Sequence, residues 1–158
     1  MSELTHEGIV AALETEQRAL EALAGRVDDE QWLLARADGW TVHDIVAHVG
    51  DSAFGLGVIA LRASQVPPGG APPDRDAIMA TINRRNDERR VKLAALSRAE
   101  IEGRIATGFS QAIKATGQVA DLQSPSGGGP AATVGGLLMR AAQHSSEHRQ
   151  EIEDLLKG

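Results

Sequence analysis

Cysteine is absent from the 158 residues of this chain. Its absence excludes a disulfide framework, a thiolate metal site and a cysteine nucleophile supplied by the protein. Any sulfur chemistry must therefore come from a cosubstrate. An excess of positive charge is also missing, because the formal net charge is -6. Without a basic surface for phosphate groups, we expect no nucleic acid and no membrane as partners, and a small-molecule substrate instead.

Long apolar runs are scarce as well. The first residues, MSELTHEG, carry neither the basic start nor the apolar centre of a signal peptide. No stretch approaches the roughly 20 apolar residues of a membrane span. We therefore expect a soluble, cytoplasmic protein. Its length fits one domain over residues 1–158 with a single core.

Apolar residues recur at helical spacing, and no strand-like alternation is present. The first helix is predicted from Leu4, with Thr5 as its N-cap; its apolar positions are Ile9, Leu13, Leu20, Leu23 and Val27. A second helix is predicted to start at Thr41 and to end near Ser64. Thr41 and Asp44 are spaced like a capping box, although aspartate is shorter than the usual glutamate.

Two Pro/Gly-rich segments interrupt the helical pattern. PPGGAPP, from Pro67 to Pro73, predicts a loop because proline lacks the amide donor and glycine has high backbone entropy. SPSGGGP, from Ser124 to Pro130, predicts another. Between them we predict a helix capped by Asp74 or Asp76 and reaching Leu96, then a helical segment with the capping box Ser97-Arg98-Ala99-Glu100. The last helix is predicted from Val134 to Leu156. The fold class is all-α, an antiparallel four-helix bundle with an extra helical segment.

The five histidines fall into two groups on these helices. His6 and His43 lie near helix starts and are interpreted as surface residues. His144 and His148 are four residues apart, roughly 6 Å along one helix, and point the same way. Their face also carries Leu137, Ala141, Ile152 and Leu155, whereas His48 shares a face with Ile45, Ser52 and Gly55.

Three interior histidines must each find a polar partner. A shared metal ion satisfies all three, but separate bonds to carbonyls or carboxylates do so too, and spacing alone favours the separate bonds. A sharper alternative is the pattern His144-Ser145-Ser146-Glu147-His148, which matches the inverted zinc-peptidase motif with Glu147 as general base. That family takes a third ligand well downstream, and only ten residues follow His148.

Two longer motifs contain these histidines. DGWTVHDIVAHV, from Asp38 to Val49, resembles the Gly-Trp-Ser/Thr start of the second helix and the first metal-binding histidine of the DinB-like proteins. QHSSEHRQEI, from Gln143 to Ile152, is similar to the His-x-x-x-His-Arg-x-x-Ile block of that family. The order of the two motifs and their separation along the chain match those of the family as well. The family includes bacterial thiol S-transferases and mycothiol-dependent maleylpyruvate isomerases.

The resemblance implies a DinB-like four-helix bundle in which His48, His144 and His148 bind a divalent metal ion. Water or substrate would occupy the remaining position. Bundles of this family are often dimers, so a homodimer is a further expectation. In the maleylpyruvate isomerase branch a glutamate replaces the first histidine of the last pair. This chain has His144 there, which argues against the isomerase reaction itself.

Three neutral imidazoles leave the ion its full charge and an open position, as in catalytic sites. Zinc is the simplest occupant, and nickel or iron accept the same ligands. A bound water or thiol would be activated for attack on an electrophile. Since the protein has no cysteine, the thiol would be a small cosubstrate such as mycothiol or bacillithiol, which the family resemblance suggests. The alternatives are a non-catalytic metal-binding stress protein and a metal-free, dimerising interaction module.

Several carboxylates lie one helical turn from the histidines. Asp44 and Asp51 flank His48, and Glu147 and Glu151 flank the last pair. They are candidates for orienting the imidazole rings. Equally, Asp44 is a candidate helix cap, and the two glutamates are candidate surface partners of Arg149 or Lys157.

Amides interrupt the apolar face of the third predicted helix. The face begins at Met79 and continues through Asn83 and Asn86 before Leu93 restores it. If this face borders the metal, the two amides are candidates for binding polar atoms of a substrate or cofactor; otherwise they belong to a solvent-exposed face. Trp32 and Trp40 flank the first loop and are interpreted as packing at the end of the bundle.

Overall fold

Five α-helices dominate the computed structural model, which describes residues 3–66 and 75–158. They are α1 (His6–Arg26), α2 (Val42–Ser64), α3 (Arg75–Leu93), α4 (Arg98–Gln118) and α5 (Val134–Leu156), with a short 3-10 helix at Gln31–Leu33. Within those two ranges the chain forms no β-strand, only two isolated bridges. The predicted all-α class is therefore confirmed.

Side-chain caps define where the helices begin. The Thr5 hydroxyl accepts the Gly8 N–H at 3.0 Å. At α2 the box is complete, because the Thr41 hydroxyl accepts the Asp44 N–H and the Asp44 carboxylate accepts the Thr41 N–H. The shorter side chain of aspartate therefore completes the capping box at α2. The box of Ser97 and Glu100 at α4 is also complete.

The third helix departs from the prediction at its C-terminal end, and one of its two predicted caps is excluded. It ends at Leu93 and not at Leu96, because the chain turns there and the Leu96 N–H bonds the Leu93 carbonyl. Asp76 lies inside the first turn of α3 and is therefore not its cap. The predicted loop at 67–73 and the alternative cap Asp74 fall outside the described residues.

Four of the helices form the bundle, and the fifth lies against its side. Each of α1 and α2 packs against both α4 and α5, whereas α3 packs on α2. The core is the apolar interior that α1, α2, α4 and α5 share; its largest fully buried members are Phe109, Ile9, Leu13, Leu20, Leu23, Ile45, Ile101, Ile105, Leu137, Leu138 and Ile152. Among the described residues of α3 only Leu93 is buried. The extra helical element of the fold is therefore α3.

Ion pairs attach α3 to α2. The Arg89 guanidinium donates two hydrogen bonds to Asp51. The next residue, Arg90, binds the Asp44 carboxylate at 3.2 Å and the Gly39 carbonyl at 2.9 Å. The buried face of α2 thus packs against the bundle, while polar residues of α2 bind the outer helix α3.

Helices α2 and α4 approach so closely that their contact is made by glycines. A Cβ atom on Gly50 would lie 3.1 Å from the Arg104 carbonyl oxygen, and one on Gly57 would lie 3.0 Å from the Ala112 Cα. A Cβ on Gly108 would overlap the carbonyl oxygen of Gly50. Only glycine at position 108 therefore permits this separation.

Helix α2 is more apolar than predicted from the sequence. By length and composition alone it could cross a membrane, with a mean hydropathy of 1.4 over its most apolar window. Half of that window is buried inside the bundle, as in the core helix of a soluble domain. Packing against both α4 and α5 accounts for the buried half, whereas Phe54 and Ile59 on the same helix are exposed.

The glycine contact predicts a strong effect for Gly108→Ala. The added methyl meets backbone atoms of α2 that cannot rotate away, so we expect a loss of at least about 1–3 kcal/mol in unfolding free energy. Gly103→Ala on the same helix is the matched control, because nothing lies within 4 Å of the added Cβ. It should be neutral or stabilising by roughly 0.5–1 kcal/mol. Urea unfolding monitored by circular dichroism checks both, and equal stability of the two variants would refute the close contact.

Candidate metal centre

Three histidines from two helices meet between α2 and α5. The Nε2 atom of His144 lies 3.1 Å from Nε2 of His48 and 3.1 Å from Nε2 of His148. Their candidate ligand nitrogens all lie within 4.8 Å of one another, and all three side chains are partly buried. The structure therefore brings together the three histidines singled out in the sequence.

Their spacing fits a shared divalent ion. Metal–nitrogen bonds of about 2.1 Å place neighbouring ligand nitrogens about 3.0 Å apart in octahedral geometry and about 3.4 Å apart in tetrahedral geometry. The observed 3.1 Å lies between these values. Two of the three pairs of ligand nitrogens therefore have the separation that a shared metal ion requires.

The carboxylate of Glu151 fixes the tautomer of His148. Its Oε2 lies 2.8 Å from His148 Nδ1, and because an ionised carboxylate only accepts, Nδ1 carries the proton. A neutral His148 then presents the lone pair of Nε2 to the centre of the cluster, as a metal ligand must. Burial opposes ionisation of Glu151, but its bonds to His148 and Arg36 outweigh this effect and lower its pKa.

Arg36 anchors that carboxylate from the loop before α2. Its guanidinium binds Glu151 at 2.7 Å and Asp38 at 2.6 Å. It also lies 5.4 Å from the ring centre of Trp40. This loop therefore reaches across to α5 and holds Glu151 against His148.

Trp40 forms one wall of the cluster. Its ring meets the His48 ring edge to face, with centroids 5.3 Å apart. Trp40 packs against the core, as predicted, and it contacts a histidine of the cluster as well. Trp32 is buried as expected and donates its indole N–H to His43 Nδ1 at 2.8 Å.

The two histidines outside the cluster differ from each other. His43 is partly buried between Trp32 and the carbonyl of Leu93, so its interpretation as a surface residue is wrong. His6 is exposed, as predicted, and its Nε2 lies 2.7 Å from the Val119 carbonyl oxygen. Neither belongs to the cluster.

Burial lowers the pKa of two of the clustered imidazoles, His48 and His144. It lowers the pKa of His48 to about 4, and the nearby His148 adds to the effect. It lowers the pKa of His144 to about 3, with further contributions from His148 and His48. At neutral pH both residues are therefore uncharged.

The other flanking carboxylates have different partners. Asp44 caps α2 and binds Arg90, and Asp51 binds Arg89. Glu147 accepts two hydrogen bonds from Arg140, at 2.7 and 2.9 Å, which lower its pKa. Held in this way, Glu147 lines neither cleft beside the cluster and is not placed to act as the base of an inverted zinc peptidase.

Two clefts reach the histidines from the side of α3. The larger, about 560 Å³, touches His48 and His144, and we name it the apolar cleft for its walls of Phe54, Leu56, Val58, Ile59, Met79 and Ile82. The smaller, about 280 Å³, touches His48 and His148, and we name it the polar cleft for its walls of Arg36, Asp38, Trp40 and Asp87. Asn83 and Asn86 line both clefts. Their predicted role in binding a ligand stays a prediction.

Sequence reasoning missed three arginines near the centre. Arg36 binds Glu151, while Arg89 and Arg140 line the apolar cleft. Arg36 stands two residues before the Asp38-Gly39-Trp40 motif, which was the available signal. Arg36 contacts α5 because of the path that its loop takes, and no local sequence pattern indicates that path.

Comparison with protein-family models gives an independent result. Residues 12–152 match the model of the DinB superfamily. Searches of curated proteins and of solved structures find no match. The matched range contains all three clustered histidines and nearly the whole bundle. The resemblance carried by the two motifs is thereby confirmed, and the chain belongs to the DinB superfamily.

Proposed function

We propose that this protein is a metal-dependent enzyme that transfers a small thiol to an electrophilic small molecule, or hydrolyses that molecule. The observation that carries the proposal is the convergence of three partly buried imidazoles at the inner end of two clefts. A ligand set of this kind leaves part of the coordination sphere open, as catalytic sites require. Because the chain has no cysteine, the attacking sulfur must be brought by a cosubstrate.

The residues present fit a divalent ion. His48, His144 and His148 would hold it, with zinc as the simplest occupant and nickel or iron as alternatives. Such an ion lowers the pKa of a water or thiol in its open position, so that the nucleophile is available at neutral pH. Mycothiol or bacillithiol is the class of thiol we propose.

The chain's own residues orient and shield the reaction. Glu151 and Arg36 hold His148 in the ligand tautomer, and Trp40 covers one side of His48. In the transfer, the thiol sulfur forms a bond to the electrophilic carbon while the bond to the leaving group breaks. The leaving group departs with that electron pair, and the thiol proton goes to solvent. In hydrolysis, water takes the place of the thiol.

Access to the cluster favours this function over a purely structural metal site. A structural site is sealed by its ligands and its apolar surroundings. Here two clefts touch the histidines. A cytoplasmic location and a homodimer are parts of the same proposal, and the three histidines lie within one chain in either oligomeric state.

Metal binding is the first prediction. Purified protein loaded with zinc and passed through a desalting column should retain about one ion per chain, measured by atomic emission. His48→Ala and His148→Ala should lose most of it. Glu151→Gln should bind roughly ten to a hundred times more weakly, since the amide no longer fixes the ring as a carboxylate does.

The matched control for metal binding is His6→Ala, which removes an exposed histidine outside the cluster. It should retain the full amount of metal. Undiminished binding in both cluster variants would overturn the site. Circular dichroism spectra identify any variant that fails to fold.

Turnover is the second prediction. Metal-loaded protein should accelerate the reaction of a chromogenic electrophile, such as a chlorodinitrobenzene, with at least one member of a panel of small thiols or with water. Removal of the ion by a chelator should abolish the acceleration, and added zinc should restore it. Metal binding without turnover across the panel would favour the non-catalytic alternative.

The pH dependence of stability is the third prediction. In the folded protein the pKa is lowered from 6.5 to about 4 for His48 and to about 3 for His144, so between these values the unfolded chain binds more protons. Stability of the metal-free protein should therefore fall as the pH drops from 7 to 5, by roughly 2 kcal/mol per histidine. Urea unfolding at both pH values measures it. His144→Ala should make the unfolding free energy depend less on pH, whereas His6→Ala should not change this dependence. An equal pH dependence in both variants would contradict the burial of neutral imidazoles.

A further inference from the structure

The two clefts beside the histidine cluster have opposite chemical character. Side chains of α2 and α3 give the apolar cleft walls of aliphatic, thioether and aromatic groups. The polar cleft lacks aliphatic side chains and is lined by charged groups, amides, Trp40 and histidines. One ligand cannot match both surfaces equally well.

The charges of the clefts also differ in sign. Among its described lining residues, the apolar cleft contains Arg85, Arg89 and Arg140 and one carboxylate, Asp51. Arg89 is paired with Asp51, and Arg140 is paired with Glu147 outside the cleft. Arg85 is exposed and forms no ion pair within the described part of the chain. A free cation therefore lies beside an apolar surface.

In the polar cleft the balance is reversed. Asp38 and Asp87 oppose a single arginine, Arg36, which is already bound to Asp38 and Glu151. Asp87 is exposed and has no ion pair among the described residues. This cleft therefore disfavours anions and suits a neutral or cationic hydrophilic molecule.

The clefts approach the cluster from two sides. His144 lines only the apolar cleft, His148 lines only the polar cleft, and His48 lines both. Asn83 and Asn86 stand on α3 where the clefts adjoin. A ligand in either cleft can therefore reach the centre without crossing the other cleft.

We propose that the two reactants bind on opposite sides of the histidine cluster. The apolar cleft binds the electrophile, a small molecule with an apolar body and an anionic end near Arg85. The polar cleft binds the hydrophilic thiol. This assignment rests on the proposed function and adds to it the chemical class of the electrophile. The apolar cleft, about 560 Å³, has the size of a small-molecule site, commonly about 300–1,000 Å³, whereas the polar cleft, about 280 Å³, is just below that range and suits a compact thiol or the thiol-bearing end of a larger one.

The apolar cleft can be tested without metal or turnover. Anilinonaphthalene sulfonate, a fluorescent apolar anion, should bind the metal-free protein saturably with one site. Met79→Asp and Ile59→Asp, on opposite walls, should weaken this binding at least tenfold by adding a negative charge to an apolar surface. Val91→Asp is the matched control, because Val91 lies on α3, is 75% exposed and lines neither cleft. Val91→Asp should bind the dye as tightly as the unmodified protein does.

The polar cleft can be tested with a cobalt-loaded protein and the neutral thiol N-acetylcysteine amide. Binding should produce a thiolate-to-cobalt charge-transfer band in the near ultraviolet. Asp87→Trp, which fills the polar cleft, should weaken the titration at least fivefold. Glu88→Trp places the same bulk on the neighbouring exposed residue, outside both clefts, and should leave it unchanged. Met79→Asp should leave it unchanged as well.

The outcomes separate this assignment from the proposed function. Thiol binding that is lost in Met79→Asp and retained in Asp87→Trp would overturn the assignment, as would dye binding that responds equally to Met79→Asp and Val91→Asp. No charge-transfer band in the unmodified, cobalt-loaded protein would overturn the thiol-transfer function, and the place of the thiol with it. The dye titration would still test, by itself, whether the apolar cleft binds an apolar anion.

Discussion

The contact between Gly50 and Gly108 sets the distance between α2 and α4, and the position of the candidate site follows from it. Because no side chain separates the two backbones there, α2 lies deep in the bundle and packs against α5 on another side. His48 is two residues before Gly50 and is thereby directed at the pair on α5. A bulkier residue at the contact would displace α2 and with it one of the three imidazoles.

The cluster adds a second constraint, because it brings three imidazole nitrogens within hydrogen-bonding distance of one another. Burial removes the option of protonating His48 and His144 near neutral pH. The hydrogen bond to Glu151 places an N–H of His148 at Nδ1, on the side away from the cluster. A divalent cation at this point would bind all three rings at once, whereas hydrogen bonds among the rings require one of them to donate an Nε2–H.

Local signals in the sequence predicted local structure well. The caps at Thr5, Thr41 and Ser97 and the bounds of α5 depend on residues within a few positions of each other, and the structure confirms them. The three histidines could be found because helical spacing and two motif blocks both indicate them. Contacts between distant segments left no such signal. Trp40 and Arg36 touch the site through the fold of a loop, and His43 is covered by Trp32 and by the chain end of α3. The interrupted apolar face of α3 did direct attention to Asn83 and Asn86, but only the packing of α3 on α2 places them beside the clefts.

The two parts of the candidate site are held by different forces. The histidines stand on α2 and α5, whose buried faces belong to the main core, whereas α3, which supplies a wall to both clefts, is fixed chiefly by Arg89 and Arg90. Partly exposed ion pairs typically contribute about 0–1 kcal/mol, far less than a buried apolar helix face. Separation of α3 from α2 therefore costs less than unfolding of the bundle. The fold thus combines a histidine cluster carried by the main core with a cleft wall that is held mainly by partly exposed ion pairs.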